Sequence, residues 1–242
     1  MTPRSRNEGS EPLKLGALDA CVCFRGVHPQ DVLWHSIEMA RRVEDMGYTR
    51  YWFSEHHGDA IAHCCPEIMT TVIAGVTEKI HVGSGCVLLR HYSPIKVAST
   101  FRLLQALYPG RIDLGVGGGS ASQDGRAGLL PASGSTYPDQ IKAVVDLASG
   151  RSAIKAQPVL IPPPEIWLQG SSHTSASLAA ELGTCFCLGI FLNFSGNKDQ
   201  GQILDGYRRG FKPSGELPEP RCSVAVAGIC AETEEQAIPR WV

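Results

Sequence analysis

The chain has 242 residues, a formal net charge of −2 and 19% charged residues. That length holds one large α/β domain or two small ones, and the near-neutral balance gives no electrostatic case for nucleic acid or an anionic membrane surface. No apolar run approaches the roughly 20 residues that a membrane span needs. The polar start from Met1 to Pro12 lacks the apolar stretch of a secretion signal, so residues 1–13 read as a flexible tail ahead of a domain over 14–242. With no such signal, the nine cysteines read as reduced thiols in a cytoplasmic protein.

In chain order, apolar runs alternate with amphipathic ones, the pattern of repeated βα units around a parallel sheet. Leu15 to Phe24 is the first strand, and Asp31 to Gly47 a helix with Val32, Ile37, Ala40, Val43 and Met46 on one side. Tyr51 to Ser54 is strand two, Pro66 to Thr77 a helix, Ile80 to Leu89 strand three and Pro94 to Leu107 a helix opened by its proline. After the turn Tyr108-Pro109-Gly110, Arg111 to Val116 is strand four. Gly117 to Pro138 is Gly-, Ser- and Ala-rich and too long for an ordinary connection, so it reads as a loop over a site. A helix over Tyr137 to Leu147 and a Pro-rich linker, Pro158 to Pro164, lead to strand five, Glu165 to Leu168. Ser172 to Leu182 is a helix, Cys185 to Leu192 strand six, Gln200 to Phe211 a helix and Cys222 to Ala231 strand seven. A last helix starts over Glu232 to Ala237. The count is seven strands, where a closed (β/α) barrel has eight.

Chemistry concentrates where strands end. Strand two runs Tyr51-Trp52-Phe53-Ser54 into Glu55-His56-His57. Strand ends are where a parallel barrel places reactive groups, and imidazoles there move protons near neutral pH. Strands three and four end in glycines, Val82-Gly83-Ser84-Gly85-Cys86 and Leu114-Gly115-Val116-Gly117-Gly118-Gly119. His-tipped beside Gly-tipped strands point to a flat, phosphate-bearing cofactor across the barrel mouth. Ser171, Ser172 and Ser175 stand at the turn into a helix, where free N–H groups and hydroxyls cradle phosphate or simply cap the helix. His56, His57, Asp59, His63, Cys64 and Cys65 crowd one segment, yet their spacing matches no standard zinc pattern, so no metal is expected. Trp52, Phe53, Phe191 and Phe194 are candidates for a substrate pocket or for core.

Several segments, taken together and in order over nearly the whole chain, resemble the bacterial-luciferase-like flavin monooxygenases, with members from natural-product biosynthesis the nearest match. They are Glu55-His56-His57, Ile80 to Gly85, Tyr92-Ser93-Pro94 with Ala98, Ala106 to Gly115, Gly170-Ser171-Ser172 with Ser175-Ala176, and Ala179 to Gly183. The resemblance implies a TIM-type barrel binding reduced FMN from a separate flavin reductase. It also implies O2 adding to the ring as a C4a-peroxide that oxidises a small aldehyde, ketone, aromatic or polyketide-like substrate. It makes His56 the proton-handling residue, with His57 beside it and Glu55 orienting one of them. Ser84, Gly85 and Cys86 become a flavin platform whose peptide is sometimes cis in the family. Gly117, Gly118, Ser171, Ser172 and Ser175 become the phosphate end. It further implies a dimer, homo- or hetero-, packed through the early helices.

The sequence departs from that pattern at three places. Many relatives carry an arginine where Gly118 stands, pairing with the flavin phosphate, and Arg90 stands where relatives often have proline. The strand count leaves two sheet edges that a partner chain or a rearranged terminus is expected to cover. Two alternatives follow: a non-catalytic flavin-binding or partner subunit, and a deazaflavin-dependent reductase on the same fold.

Overall fold

A computed structural model of the chain describes residues 13–58, 60–118, 135–192 and 199–237. Residues 1–12 of the expected tail, most of the loop after strand four, Asp59 and Phe194 lie outside the described residues.

Parallel strands and flanking helices alternate along the chain. The strands are β1 (Gly16–Asp19), β2 (Arg50–Phe53), β3 (His81–Ser84), β4 (Val87–Leu88), β5 (Ile112–Gly117), β6 (Glu165–Gly170), β7 (Cys185–Gly189) and β8 (Cys222–Ala225). The helices are α1 (Pro29–Asp45), α2 (Pro66–Val76), α3 (Pro94–Leu107), α4 (Tyr137–Ala148), α5 (His173–Leu182), α6 (Gln200–Gly210) and the short α7 (Glu234–Ala237). The order β1-β2-β3-β5-β6-β7-β8 is parallel throughout, and β4 pairs with β5 as the continuation of β3. Seven strand positions therefore form a nearly closed TIM-type barrel.

Several predicted strands are shorter than expected, each for a local reason. The strand predicted to reach Phe24 ends at Asp19, since Cys21 turns into the left-handed region at φ 47°. The third predicted strand is split at a cis Gly85–Cys86 peptide. Ile190–Leu192 coils into a 3₁₀ turn instead of extending β7, and β8 ends at Ala225 opposite β7's last residue, Gly189. In contrast, β6 runs two residues past its predicted end, paired with β7 through Gly170.

Alternation along each strand divides the core in two. Outward residues such as Phe53, Val82, Leu114, Leu168 and Phe186 join helix residues in the main apolar cluster. Inside the barrel Trp52, Trp167, Cys185 and Cys187 form a second one. The two indoles meet edge-to-face, centroids 5.1 Å apart, and fill much of the bore. Gly85 adjoins them, and a Cβ there would meet the Trp52 ring at 3.0 Å. At Gly115 the neighbouring backbone leaves no room, since a Cβ would lie 1.9 Å from the Ser84 carbonyl oxygen.

Below the indoles, at the N-terminal ends of the strands, sits a charged plug. The Arg50 guanidinium bonds Asp113 and Glu165, and Arg221 also bonds Glu165. Trp52 Nε1 donates to Asp113 at 2.7 Å and Trp167 Nε1 to Glu165 at 2.8 Å, so the carboxylates are tied to the aromatic layer above. A cavity of about 290 Å³ opens at this same end, lined by His81, Gln105, Glu165 and Cys185 among others. Reactive residues of the predicted site are at the opposite end.

Candidate active site at the C-terminal mouth of the barrel

Glu55 organises the mouth. It is 2% exposed, two residues past Phe53 at the end of β2, and its carboxylate collects three donors from two segments. His57 Nε2 lies 2.8 Å from Oε1, and the Tyr92 hydroxyl donates to the same oxygen at 2.8 Å. The Leu88 N–H donates to Oε2 at 2.9 Å. A carboxylate accepts, so Nε2 of His57 carries the hydrogen of this bond. Glu55 therefore orients His57, and it also clamps the chain that follows the cis peptide onto the end of β2. Burial and the bond to Glu55 push the Tyr92 phenol well above its ordinary range, so it stays protonated.

His56 is placed differently. It is half-buried and hydrogen-bonds to none of the described residues. Burial lowers its pKa below the ordinary 6.5, and neighbouring His57 adds to this against the attraction of Glu55. It is thus a neutral imidazole at pH 7, free to take a proton. His63 sits close by with its pKa also lowered by burial; its Nδ1 accepts from the Cys65 N–H at 3.2 Å, while Nε2 is buried with no hydrogen-bond partner.

The glycine-tipped strands surround the next part of the mouth. Ser84 is fully buried, and its hydroxyl is engaged at both ends by Gly115, donating to the carbonyl at 2.8 Å and accepting from the N–H at 3.0 Å. It stitches β3 to β5 where the ladder is interrupted. Gly85 backs onto the Trp52 ring, and a Cβ there would meet Cε3 at 3.0 Å. Burial drives the Cys86 thiol far above its usual range, so it is an inert apolar group. A Cβ on Gly117 would overlap the Cys86 sulfur at 2.2 Å. At Gly118 the same construction meets the Tyr137 ring at 3.2–3.5 Å. The Tyr137 hydroxyl is buried and without a hydrogen-bond partner, and the Arg90 guanidinium lies 4.9 Å from the centroid of its ring.

Past the end of β6, Ser172 caps α5 in a reciprocal box with Ser175. Each hydroxyl accepts the other residue's N–H at 3.2 Å. Ser175 also fills the space beside Gly170, where a Cβ would meet its Oγ at 2.3 Å. Both hydroxyls serve the helix cap, and Ser171 precedes it, half-buried.

The predicted residues are therefore brought to one end of the barrel by the C-termini of β2, β3, β5 and β6. Of the aromatics considered for a pocket, Trp52 faces the bore, whereas Phe53 is fully buried outside it against Tyr51. The sequence reading missed Tyr92, which lies 37 residues from the carboxylate it binds, and Tyr137, whose partners come from two other strand ends. No local pattern encodes either meeting.

The profile of the luciferase-like monooxygenases matches residues 23–240. Among curated proteins, the uncharacterized protein YwcH of Bacillus subtilis (strain 168) is 39% identical over 237 residues, 93% of this chain and 70% of its own length. The N-acetyl-S-alkylcysteine monooxygenase of the same organism is 34% identical over 240 residues, again 93% and 70%. The solved structure of apo-MsnO8 superposes with TM-score 0.80 at 35% identity, covering 94% of this chain and 70% of that one. Two more distant structures share the fold at 20% identity. The oxygenating constituent of 3,6-diketocamphane monooxygenase from Pseudomonas putida, in complex with FMN, has TM-score 0.71, and an F420-dependent secondary alcohol dehydrogenase has 0.67. By profile match, identity and fold alike, the chain belongs to the luciferase-like monooxygenase family of oxidoreductases.

Proposed function

We propose that this protein is a monooxygenase using reduced FMN and O2 on a small organic substrate of the aldehyde, ketone or polyketide-like class. The observation that carries this reading is the pair of imidazoles at the end of β2. His57 is locked by Glu55, whereas His56 is neutral, half-buried and uncommitted. A non-catalytic flavin carrier has no need of that division of labour.

The mouth fits a flat ring with an anionic tail. Gly85, Cys86 and Gly117 form a close-packed floor in which an added Cβ has no room, and the unpartnered Tyr137 hydroxyl waits for an acceptor. Reduced FMN, when bound, supplies the oxygen-activating chemistry. The chain's part is to take or return a proton at His56 and to hold His57 through Glu55. Gly85, Cys86 and Gly117 keep water from one face of the ring, and Gly118 with Ser171, Ser172 and Ser175 receives the phosphate end. With no redox centre of its own in this reading, the protein takes reduced FMN from a separate flavin reductase. We assign it to the cytoplasm as a dimer: its nine free cysteines suit a reducing compartment. Apolar residues stand exposed on α2 and α3, among them Ile68 and Leu103. Among the described residues, no helix is long and apolar enough to cross a membrane.

The rival is a deazaflavin-dependent reductase, since an F420-dependent dehydrogenase shares the fold. Anaerobic titration with reduced FMN and reduced F420, followed by mixing with oxygenated buffer, separates the two. Tighter FMN binding and a transient spectrum unlike either the reduced or the oxidised flavin support the monooxygenase. Preference for F420, or instant oxidation with no transient, overturns it.

A further inference from the structure

Two departures from the family pattern meet in space. The resemblance places an arginine at position 118, where this chain has glycine, and a proline at position 90, where it has arginine. The two positions stand side by side, because Leu88 pairs with Gly117 across β4 and β5 and each chain then continues one or two residues further. Between them lies Tyr137 at the start of α4. Its ring occupies the space a side chain at 118 would enter, 3.2 Å from a Cβ built there, and the Arg90 guanidinium lies 4.9 Å from its centroid. An arginine at 118 would have to displace that ring. The ring in turn gives the guanidinium at 90 a surface to rest on.

We propose that Arg90 is the transposed cation of this mouth: it carries the charge that binds the phosphate of the cofactor, with the Tyr137 hydroxyl as a second donor to the same group. The assignment rests on the flavin reading above. Three observations converge on it. Arg90 is exposed on the Leu89–His91 turn and forms no ion pair with any described residue, so its charge is available. The Tyr137 hydroxyl is buried without a partner, and a buried donor left unmatched is costly until an acceptor arrives. Burial also holds that phenol protonated, well above its ordinary range, so it donates to a dianion and does not repel it. At the end of β6, which pairs with β5, the hydroxyls of Ser172 and Ser175 are engaged in their reciprocal cap, which leaves the charge-assisted contact with the phosphate to Arg90.

The test compares reduced FMN with reduced riboflavin, which differ only in the phosphate, by anaerobic quenching of tryptophan fluorescence. It uses the full chain and the Arg90→Met, Arg90→Lys and Tyr137→Phe variants. The unaltered protein is expected to prefer FMN by about tenfold or more, the range of a charge-assisted hydrogen bond. Arg90→Met should abolish most of that preference while leaving riboflavin affinity unchanged, and Arg90→Lys should restore part of it. Tyr137→Phe should reduce the preference a few-fold. Because residue 90 is exposed, Arg90→Met is expected to fold, and an unchanged circular dichroism melt verifies it. Binding of both flavins with the same preference in Arg90→Met overturns the assignment alone. Failure of the unaltered protein to bind either flavin overturns the flavin reading together with it.

Discussion

At the residue scale, two adjacent histidines differ because His57 is bonded to Glu55 and His56 has no hydrogen-bond partner among the described residues. His56, held neutral by burial, should set the acid limit of turnover. Its pKa lies below 6.5, so activity is expected to hold down through pH 6.5 and fall only at lower pH, as the folded protein takes up the proton. The same shift bears on stability. The unfolded chain binds that proton first, so this contribution is complete above pH 6.5 and is lost as pH falls through the folded value. In His56→Ala the acid limb of the kcat profile should disappear, with reduced FMN affinity changed less than about threefold; an intact limb would assign the titration elsewhere. Glu55 is a different case, since three donors depend on it. Glu55→Ala should cost about 3 kcal/mol in urea unfolding, against about 1 kcal/mol for Tyr92→Phe, which leaves two of the donors paired. Equal costs would mean that Tyr92 is the dominant partner.

At the element scale, each strand end of the mouth is fixed by something its neighbour does. Gly117 on β5 has no space for a Cβ only because the Cys86 sulfur, one residue before β4, already fills it. Gly117→Ala is therefore expected to lower stability by about 2 kcal/mol, and by under about 1 kcal/mol when measured in a Cys86→Ala background. A cost that persists in the double variant would trace to the backbone instead of the thiol. The split of the third predicted strand has the same logic. Ser84 bonds Gly115 where the ladder is interrupted, and Glu55 then takes the Leu88 N–H that resumes it.

For the whole molecule, the bore holds two layers of unlike chemistry beneath the site: a charged plug and, above it, paired indoles. Arg50 lies between two carboxylates and 4.7 Å from the centroid of Trp167, with Asp113 wholly buried. Removing one charge from such a set leaves the others uncompensated. Asp113→Ala should thus destabilise the fold by about 3–5 kcal/mol in urea unfolding. A loss under about 1 kcal/mol would show that the plug is water-filled and weakly coupled. The plug stands at the N-terminal end of the bore, and at the other end Gly85 packs onto Trp52.

Much of this was legible without coordinates. Alternation of apolar periods determined a parallel βα succession of seven strands, since burial on both faces demands it, and Glu55, His56 and His57 at a strand end marked the mouth. Local chemistry also located the Ser172 cap, because a helix start needs an acceptor within three residues. Tertiary structure alone decided which histidine Glu55 holds, that Tyr92 and Leu88 share that carboxylate, and that Arg90 and Gly118 meet at Tyr137. Apart from the Glu55–His57 bond, those pairings join residues 19 to 47 positions apart, brought together by strand register. Sequence periodicity specifies which face a residue takes; it does not specify which residue it finds there.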